Sequence, residues 1–385
     1  MPETPRQQQL LKFIKSLDFL QLGAIALLLT VGLIFIRSTG LQIDTAESRS
    51  FFGKQLIWIA IGTVVYFTVA AVDYRSLTAR LIMICGYALS VILLITVLFY
   101  GTKVYGATRW LNIFGFRLQP SEPAKLMVIC TLAAIFSAPR FSSGKLLCTA
   151  MTAATVAVPF FLIVIEPDLG SALVLLPVSG AMVFCFGIKW RYVLIGLAAV
   201  AAGISFVLLD SFREDPILLR NYQRDRIKTF LDPGSDLGNR GHNAYQAKLA
   251  VGSGGMSGTG IGRGTQNELG FLPHTVSNND FIFSVIAEET GFTGVLGVLF
   301  LYAMLLYSIL RTAFIVSGLG RYIAAGVATL IFCHIFINIG MSIGIAPVTG
   351  LPLPLVSYGG SFILTAMTTL GLVQSIYRQA KLTAE

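Results

Sequence analysis

Apolar stretches long enough to cross a bilayer recur along this chain, separated by polar segments of very unequal length. A span needs about 20 predominantly apolar residues. On that measure spans are predicted near 19–36, 55–72, 81–100, 122–137, 146–165, 170–187, 192–209, 292–310, 322–343 and 361–377. The fourth is short, and the connection at 210–291 is too long to be a mere link. Connections of that length are usually functional or disordered. The expected architecture is an all-α polytopic integral membrane protein of about ten transmembrane helices. It forms one membrane domain over 1–385, with cytoplasmic tails at 1–18 and 378–385 and a large extracytoplasmic loop at 210–291.

Composition agrees with this pattern. The chain is 55% hydrophobic and 12% charged, with a mean hydropathy of +0.76, whereas soluble domains carry about 25% charged residues. Arg6, Lys12 and Lys15 precede the first apolar run as they would in a signal peptide. The run from Phe19 to Ile36 is long enough to span and has no small-residue cleavage site, so it reads as a retained span. Cys85, Cys130, Cys148, Cys185 and Cys333 form no CxxC pair and read as small buried hydrophobes. His242, His274 and His334 are too scattered for a metal site.

Charge sets the orientation. With the N-terminus inside, the inner segments hold thirteen basic and four acidic residues, a balance of +9 that equals the whole formal charge. The remaining basic and acidic residues cancel outside. Every short inner loop is then basic, as the positive-inside rule requires. The basic balance therefore reports membrane topology, and no nucleic acid partner need be invoked.

This orientation leaves three outer segments that could carry chemistry. In 101–125, Arg109 and Trp110 lie near the membrane surface, and Glu122 and Lys125 share a helix face at the start of the fourth span. An interfacial anchor with a local ion pair explains them, as does a polar entry to a headgroup pocket; ionisable residues within a span are functional candidates. Between the fifth and sixth spans, EPDLGS places Glu166 and Asp168 at a helix N-terminus, where capping is a sufficient explanation. In the long segment, the run GSGGMSGTGIGRGTQ offers backbone N–H groups to phosphate or is a plain flexible loop. Lys248, Arg263 and the cluster Arg220, Arg224, Arg226 and Lys228 supply positive charge.

Asp280 is the sharpest residue, opening the apolar run FIFSVIA at the outer edge. It is a helix cap or a functional acid. A helix over 280–289 would align it with Ser284 and Glu288, about 12 Å from the latter, and would break at Thr290–Gly291. The third segment, 344–361, carries Pro347, Pro352 and Pro354 and cannot be a regular helix. Such backbone at membrane depth must be protein-buried or line a cavity.

The strings RWLN, LQPSEPAKL, EPDLGS, GSGGMSGTGIGRGTQ, DFIFSVIAEETG and PLPLVSYGGS occur in this order from about 100 to 375. Together they resemble the SEDS family of bacterial cell-wall proteins (shape, elongation, division, sporulation), and the last string is closer to the elongation branch, RodA, than to the division branch, FtsW. The resemblance implies a ten-span fold and a peptidoglycan glycosyltransferase that polymerises lipid II, an undecaprenyl-diphosphate-linked disaccharide pentapeptide, at the outer face of the cytoplasmic membrane. It implies Asp280 as the catalytic residue, the general base, and a class B penicillin-binding protein, the transpeptidase, as partner. Residues expected to bind substrate are Arg109, Trp110, Glu122, Lys125, Glu166, Asp168, Lys248, Glu288, Ser357 and Tyr358, with Arg109, Lys125 and Lys248 on the diphosphate. A divalent cation, Mg or Mn, could help neutralise that group, although the sequence holds no dedicated cage. This chain departs from the family in reading LPHTVSNND before the run, two residues longer and without the usual Glu. A lipid II flippase and a non-catalytic scaffold for the penicillin-binding protein are the rival readings.

Overall fold

The computed structural model describes residues 5–41, 46–104, 107–113, 115–138, 146–187, 240–269 and 277–384, with isolated positions among 191–210 and at 271. Nearly all of the expected seventh span, and the Arg220–Lys228 cluster, lie outside the described residues.

Most expected spans are helices with close to their expected bounds. In order they are α1 (Pro5–Lys15), α2 (Phe19–Leu41), α3 (Ala46–Ala71), the one-turn α4 (Tyr74–Leu77) and α5 (Arg80–Tyr100). A small sheet follows: β1 (Thr102–Val104), β2 (Ala107–Ile113) and β3 (Phe116–Leu118). Then come α6 (Ser121–Ser137), α7 (Leu146–Ile165), α8 (Leu169–Phe186), α9 (Arg240–Ser253) and α10 (Thr265–Glu268). The chain closes with α11 (Ile282–Ile315), α12 (Leu319–Ile343) and α13 (Gly360–Ala384). Among the described residues, eight helices are long and apolar enough to cross a membrane. At 17 residues, α6 falls just short of them.

Burial separates centre from rim. In the most apolar stretch of each helix, 72% of residues are buried in α12 and 67% in α13, against 22% in α3 and α5. The first two are therefore the core, and the latter present apolar side chains to lipid. Close approach at the centre needs a small residue. A Cβ added at Gly326 of α12 would lie 2.8 Å from both Ile129 of α6 and Met182 of α8.

The three strands, antiparallel in the order β1-β2-β3, were not foreseen. They occupy the segment read from sequence as an interfacial anchor, and they lie at the bundle end that also carries the N-termini of α6, α8, α11 and α13. At the opposite end, Asp18 receives the Ser308 hydroxyl at 2.6 Å and the Arg311 guanidinium at 2.8 Å. That contact fixes the start of α2 to the far end of α11.

Candidate active site

The break expected at Thr290–Gly291 is present. Gly291 has φ 65° and ψ −165° inside α11, which divides it into a short stub, 282–290, and a long shaft. Breaking a helix within a membrane orphans backbone groups that water cannot satisfy. The glycine run satisfies them. Thr259 and Gly260 donate N–H groups to the carbonyls of Glu288 and Glu289, both at 3.0 Å. Phe292 and Thr293 donate to the carbonyls of Gly255 and Met256 at 2.9 and 3.2 Å. The approach is so close that a Cβ at Gly258 would lie 2.2 Å from the Glu289 carbonyl oxygen.

The same run consumes the two glutamates. Glu288 Oε1 accepts from the Thr265 hydroxyl at 2.8 Å and the Gln266 N–H at 3.0 Å. Glu289 accepts from the Ser38 hydroxyl at 2.6 Å and the Gly262 N–H at 3.1 Å. These glycine-run N–H groups thus face protein carboxylates and carbonyls, so they do not form the phosphate cradle weighed from sequence. Glu288, 1% exposed, is placed as a brace.

Asp280 is not on the stub. The helix starts at Ile282, its N-cap is Phe281, and no side chain caps it. The shared face with Ser284 and Glu288 therefore excludes Asp280, and the N-cap position falls to Phe281. Instead Asp280 sits in a turn that three neighbours hold by its backbone. The Asn338 amide donates to the Asp280 carbonyl at 2.9 Å, the Ser357 hydroxyl to the Asn279 carbonyl at 2.6 Å, and the Tyr358 N–H to the Asn278 carbonyl at 2.9 Å. The Thr39 hydroxyl donates to the Asn278 side chain, which ties the lengthened loop to the end of α2. The half-buried carboxylate lies against the third segment: a Cβ at Gly350 would be 3.3 Å from Asp280 Oδ2.

Other expected residues divide into open and enclosed. Lys248 is exposed on α9. Its neighbour Ala247 packs with Phe281, the residue after Asp280, and with Met341 and Val348. Its stem also passes Gly344, whose Cβ would lie 3.5 Å from Lys248 Cδ. Lys125 is only 1% exposed. Its ammonium donates to Glu122 at 2.8 Å and contacts His334 Nε2 at 2.9 Å. Ser357 is fully buried and serves the loop, while Tyr358 is half-buried and meets Phe51 edge-on at 4.9 Å. Trp110 is half-buried on β2, opposite Thr102.

Arg109 joins the sheet to α8, with one guanidinium nitrogen 3.7 Å from Asp168 Oδ1 and the other donating to the Pro167 carbonyl. Asp168 caps α8 through the Ser171 N–H at 3.4 Å, as expected, and also receives the Gln119 amide at 3.1 Å. Burial pushes the Asp168 carboxyl up, but Arg109 and the Ser171 hydrogen bonds more than offset this and hold it below the usual range. Glu166 lacks that help. Burial, then the Asp168 charge, pushes it up to about 9 against the weaker pull of Arg109. It is therefore a neutral carboxyl at neutral pH. Among the described residues no three His, Cys, Asp or Glu side chains converge.

Sequence reasoning missed His334 and Asn338. They stand four apart, on one face of a central apolar helix, and both reach carbonyls of the third segment. Polar residues inside a span that face the bundle were the available signal.

The fold and site define a class: a polytopic helical membrane protein with an acid and an open lysine at one end, above enclosed ion pairs. A family model described as cell cycle protein, FtsW/RodA/SpoVE, matches residues 19–382. The peptidoglycan glycosyltransferase MrdB of Escherichia coli K12 is 37% identical over 366 residues, 93% of this chain and 92% of that protein. A structure described as the coordination of polymerization and crosslinking by a peptidoglycan synthase complex superposes with a TM-score of 0.78, at 29% identity, covering 94% of this chain and 98% of that one. The Thermus thermophilus rod shape determining protein RodA gives a TM-score of 0.68 at 27% identity, covering 94% and 97%. The chain belongs to the FtsW/RodA/SpoVE family.

Proposed function

We propose that this chain is a peptidoglycan glycosyltransferase that polymerises lipid II into β-1,4 glycan for wall elongation, with Asp280 as its general base. One observation carries the choice of base: the turn bearing Asp280 is fixed through three backbone carbonyls and sets the half-buried residue against the third segment, beside Gly350. Positioning by backbone holds a side chain in a set geometry for proton transfer. Glu288, the other nearby acid, is already committed to Thr265 and Gln266.

The chemistry needs a single displacement. Asp280 takes the proton of the acceptor sugar hydroxyl as that oxygen attacks the anomeric carbon of the donor. The bond from this carbon to the lipid diphosphate breaks, and the diphosphate leaves with the electron pair. Configuration inverts from α to β. The leaving group is a stable anion and requires cations more than an acid, so one carboxylate suffices, unlike the paired carboxylates of hydrolytic glycosidases. Lys248 is an exposed cation whose neighbour Ala247 packs against Phe281, the residue after Asp280. Arg109 and Lys125, enclosed with Asp168 and Glu122, act on the diphosphate through their field and through the geometry they hold.

The balance of +9 supports an orientation with both termini inside and the Asp280 end outside, in the cytoplasmic membrane. A class B penicillin-binding protein is the partner that would cross-link the product; the synthase complex that this chain resembles supports it.

The test is glycan synthesis from lipid II by purified protein, with and without that partner. Asp280→Asn keeps the shape and cannot take a proton at neutral pH, so polymerisation should fall roughly 10²–10⁴-fold. Near-normal synthesis by a folded Asp280→Asn protein would falsify the assignment. Wild type that moves lipid II across vesicles yet never polymerises would favour a transporter.

A further inference from the structure

Lys125 and Asp280 belong to different helical neighbourhoods, and one face of α12 joins them. His334 is 2% exposed and lies between Lys125 and the third outer segment. An ammonium has donors and no acceptor, so the Lys125 contact at 2.9 Å makes His334 Nε2 the acceptor. The proton of a neutral ring is then on Nδ1, which donates to the Pro352 carbonyl at 3.2 Å. The tautomer follows from the two partners. Phe362 lies against the ring at 5.2 Å between centroids and fixes its tilt.

One helical turn further along, Asn338 completes the connection. Its amide donates to the Leu351 carbonyl at 2.8 Å and to the Asp280 carbonyl at 2.9 Å. Residues four apart on a helix stand one above the other on a single face. The carbonyls of Leu351 and Pro352 are thus gripped by consecutive rungs of one helix, and Gly350, the preceding residue, is the one whose Cβ would press on Asp280. Pro352 has no N–H of its own, and its fixed φ gives this stretch little slack.

We propose that His334, as the Nδ1–H neutral ring, is a positioning residue that couples the enclosed Glu122–Lys125 pair to the placement of Asp280. It touches neither substrate nor the reacting atoms. Its acceptor nitrogen holds Lys125, its donor nitrogen holds the backbone that abuts the Asp280 carboxylate, and Asn338 keeps the two in register. A small cavity of about 30 Å³, lined by Glu122, His334, Pro354 and Phe362 among others, lies beside the ring. It offers space into which an unrestrained side chain or the loop could relax.

The inference rests on the polymerase reading, so its test includes a measurement free of catalysis. Two variants separate hydrogen bonding from bulk. His334→Leu fills similar space and offers neither an acceptor nor a donor. His334→Gln offers both, an oxygen for Lys125 and an N–H for the Pro352 carbonyl. In His334→Leu, kcat should fall roughly 10–100-fold, the scale set by an ångström of misplacement. KM for lipid II should stay within about threefold, because no substrate contact is lost. His334→Gln should recover most of the kcat. In hydrogen–deuterium exchange, peptides covering 277–283 and 344–359 should both exchange faster in His334→Leu, and both be restored in His334→Gln. Unchanged exchange in a folded His334→Leu protein, or equal kcat loss in both variants, overturns the coupling. A wild type that forms no glycan overturns the polymerase reading instead, while the exchange result still decides whether His334 holds the loop.

Discussion

Glu288→Gln and Glu288→Ala separate a brace from a base on the basis of distances already described. The Glu288 carboxylate receives two hydrogen bonds on one oxygen, from Thr265 and Gln266, and is 1% exposed. Hydrogen bonds to charged groups contribute about 1.5–3 kcal/mol each, so Glu288→Ala should cost about 3–6 kcal/mol at most and loosen the glycine run around Gly291. Glutamine keeps an oxygen for both donors and loses only the charge assistance, a cost of about 1–2 kcal/mol. The assay pairs thermal unfolding in detergent with initial rates of glycan synthesis, for both variants beside Asp280→Asn. Glu288→Gln should melt slightly lower and still polymerise, Glu288→Ala should melt much lower, and Asp280→Asn should melt normally and be inert. Should Glu288→Gln lose roughly 10²–10⁴-fold of its rate at unchanged stability, the proton would go to Glu288 and the brace reading would be wrong.

Gly350→Ala should lower kcat in a folded protein, since φ is +78° and the new methyl would sit 3.3 Å from Asp280 Oδ2; steady-state rates at full activity would place the carboxylate elsewhere. Glu166 has a folded pKa raised to about 9, from an unfolded value near 4.3, so the folded state holds a proton that the unfolded state lacks between these values. Its contribution is fully present below about 4.3 and is lost as pH rises towards 9. Unfolding temperature against pH should therefore slope downward less in Glu166→Gln, and an identical slope would contradict a neutral Glu166. Single cysteines at Ser235 and Ser317, in a cysteine-free background, should react with an impermeant reagent from outside at 235 and not at 317; the reverse would invert the proposed orientation.

Much of this fold is legible in residue order because lipid imposes one strong constraint. Span positions follow from apolar length, the break at Gly291 from a stretch too long for the bilayer, and the cap at Asp168 from an acid before a helix. The three-stranded sheet was hidden, since RWLN and its flanks read equally well as an interfacial segment. The glycine run was misjudged for a related reason. Its N–H groups serve carbonyls and carboxylates on α11, and partners so distant in sequence leave no local pattern. Asp280 was found as an acid at an apolar edge, but its supports, Asn338, Ser357 and Thr39, are visible only once the helices are assembled. His334 is the clearest omission, because a lone histidine in an apolar run says nothing until Lys125 is placed 2.9 Å from it.

The joint at Gly291 has a mechanical consequence. The shaft beyond it, 292–315, has Phe292, Phe300, Tyr307 and Phe314 exposed on its surface. At 1.5 Å per residue it runs about 36 Å, longer than a hydrocarbon core of about 30 Å, so it must lean to stay covered. A rigid rod would carry Asp280 along with every change of lean. Here Gly291 interrupts the helical register, the glycine run binds backbone on both sides of it, and Ser38 holds Glu289 of the stub. The direction of the stub is thus set by the clamp at Gly291 and not by the axis of the shaft.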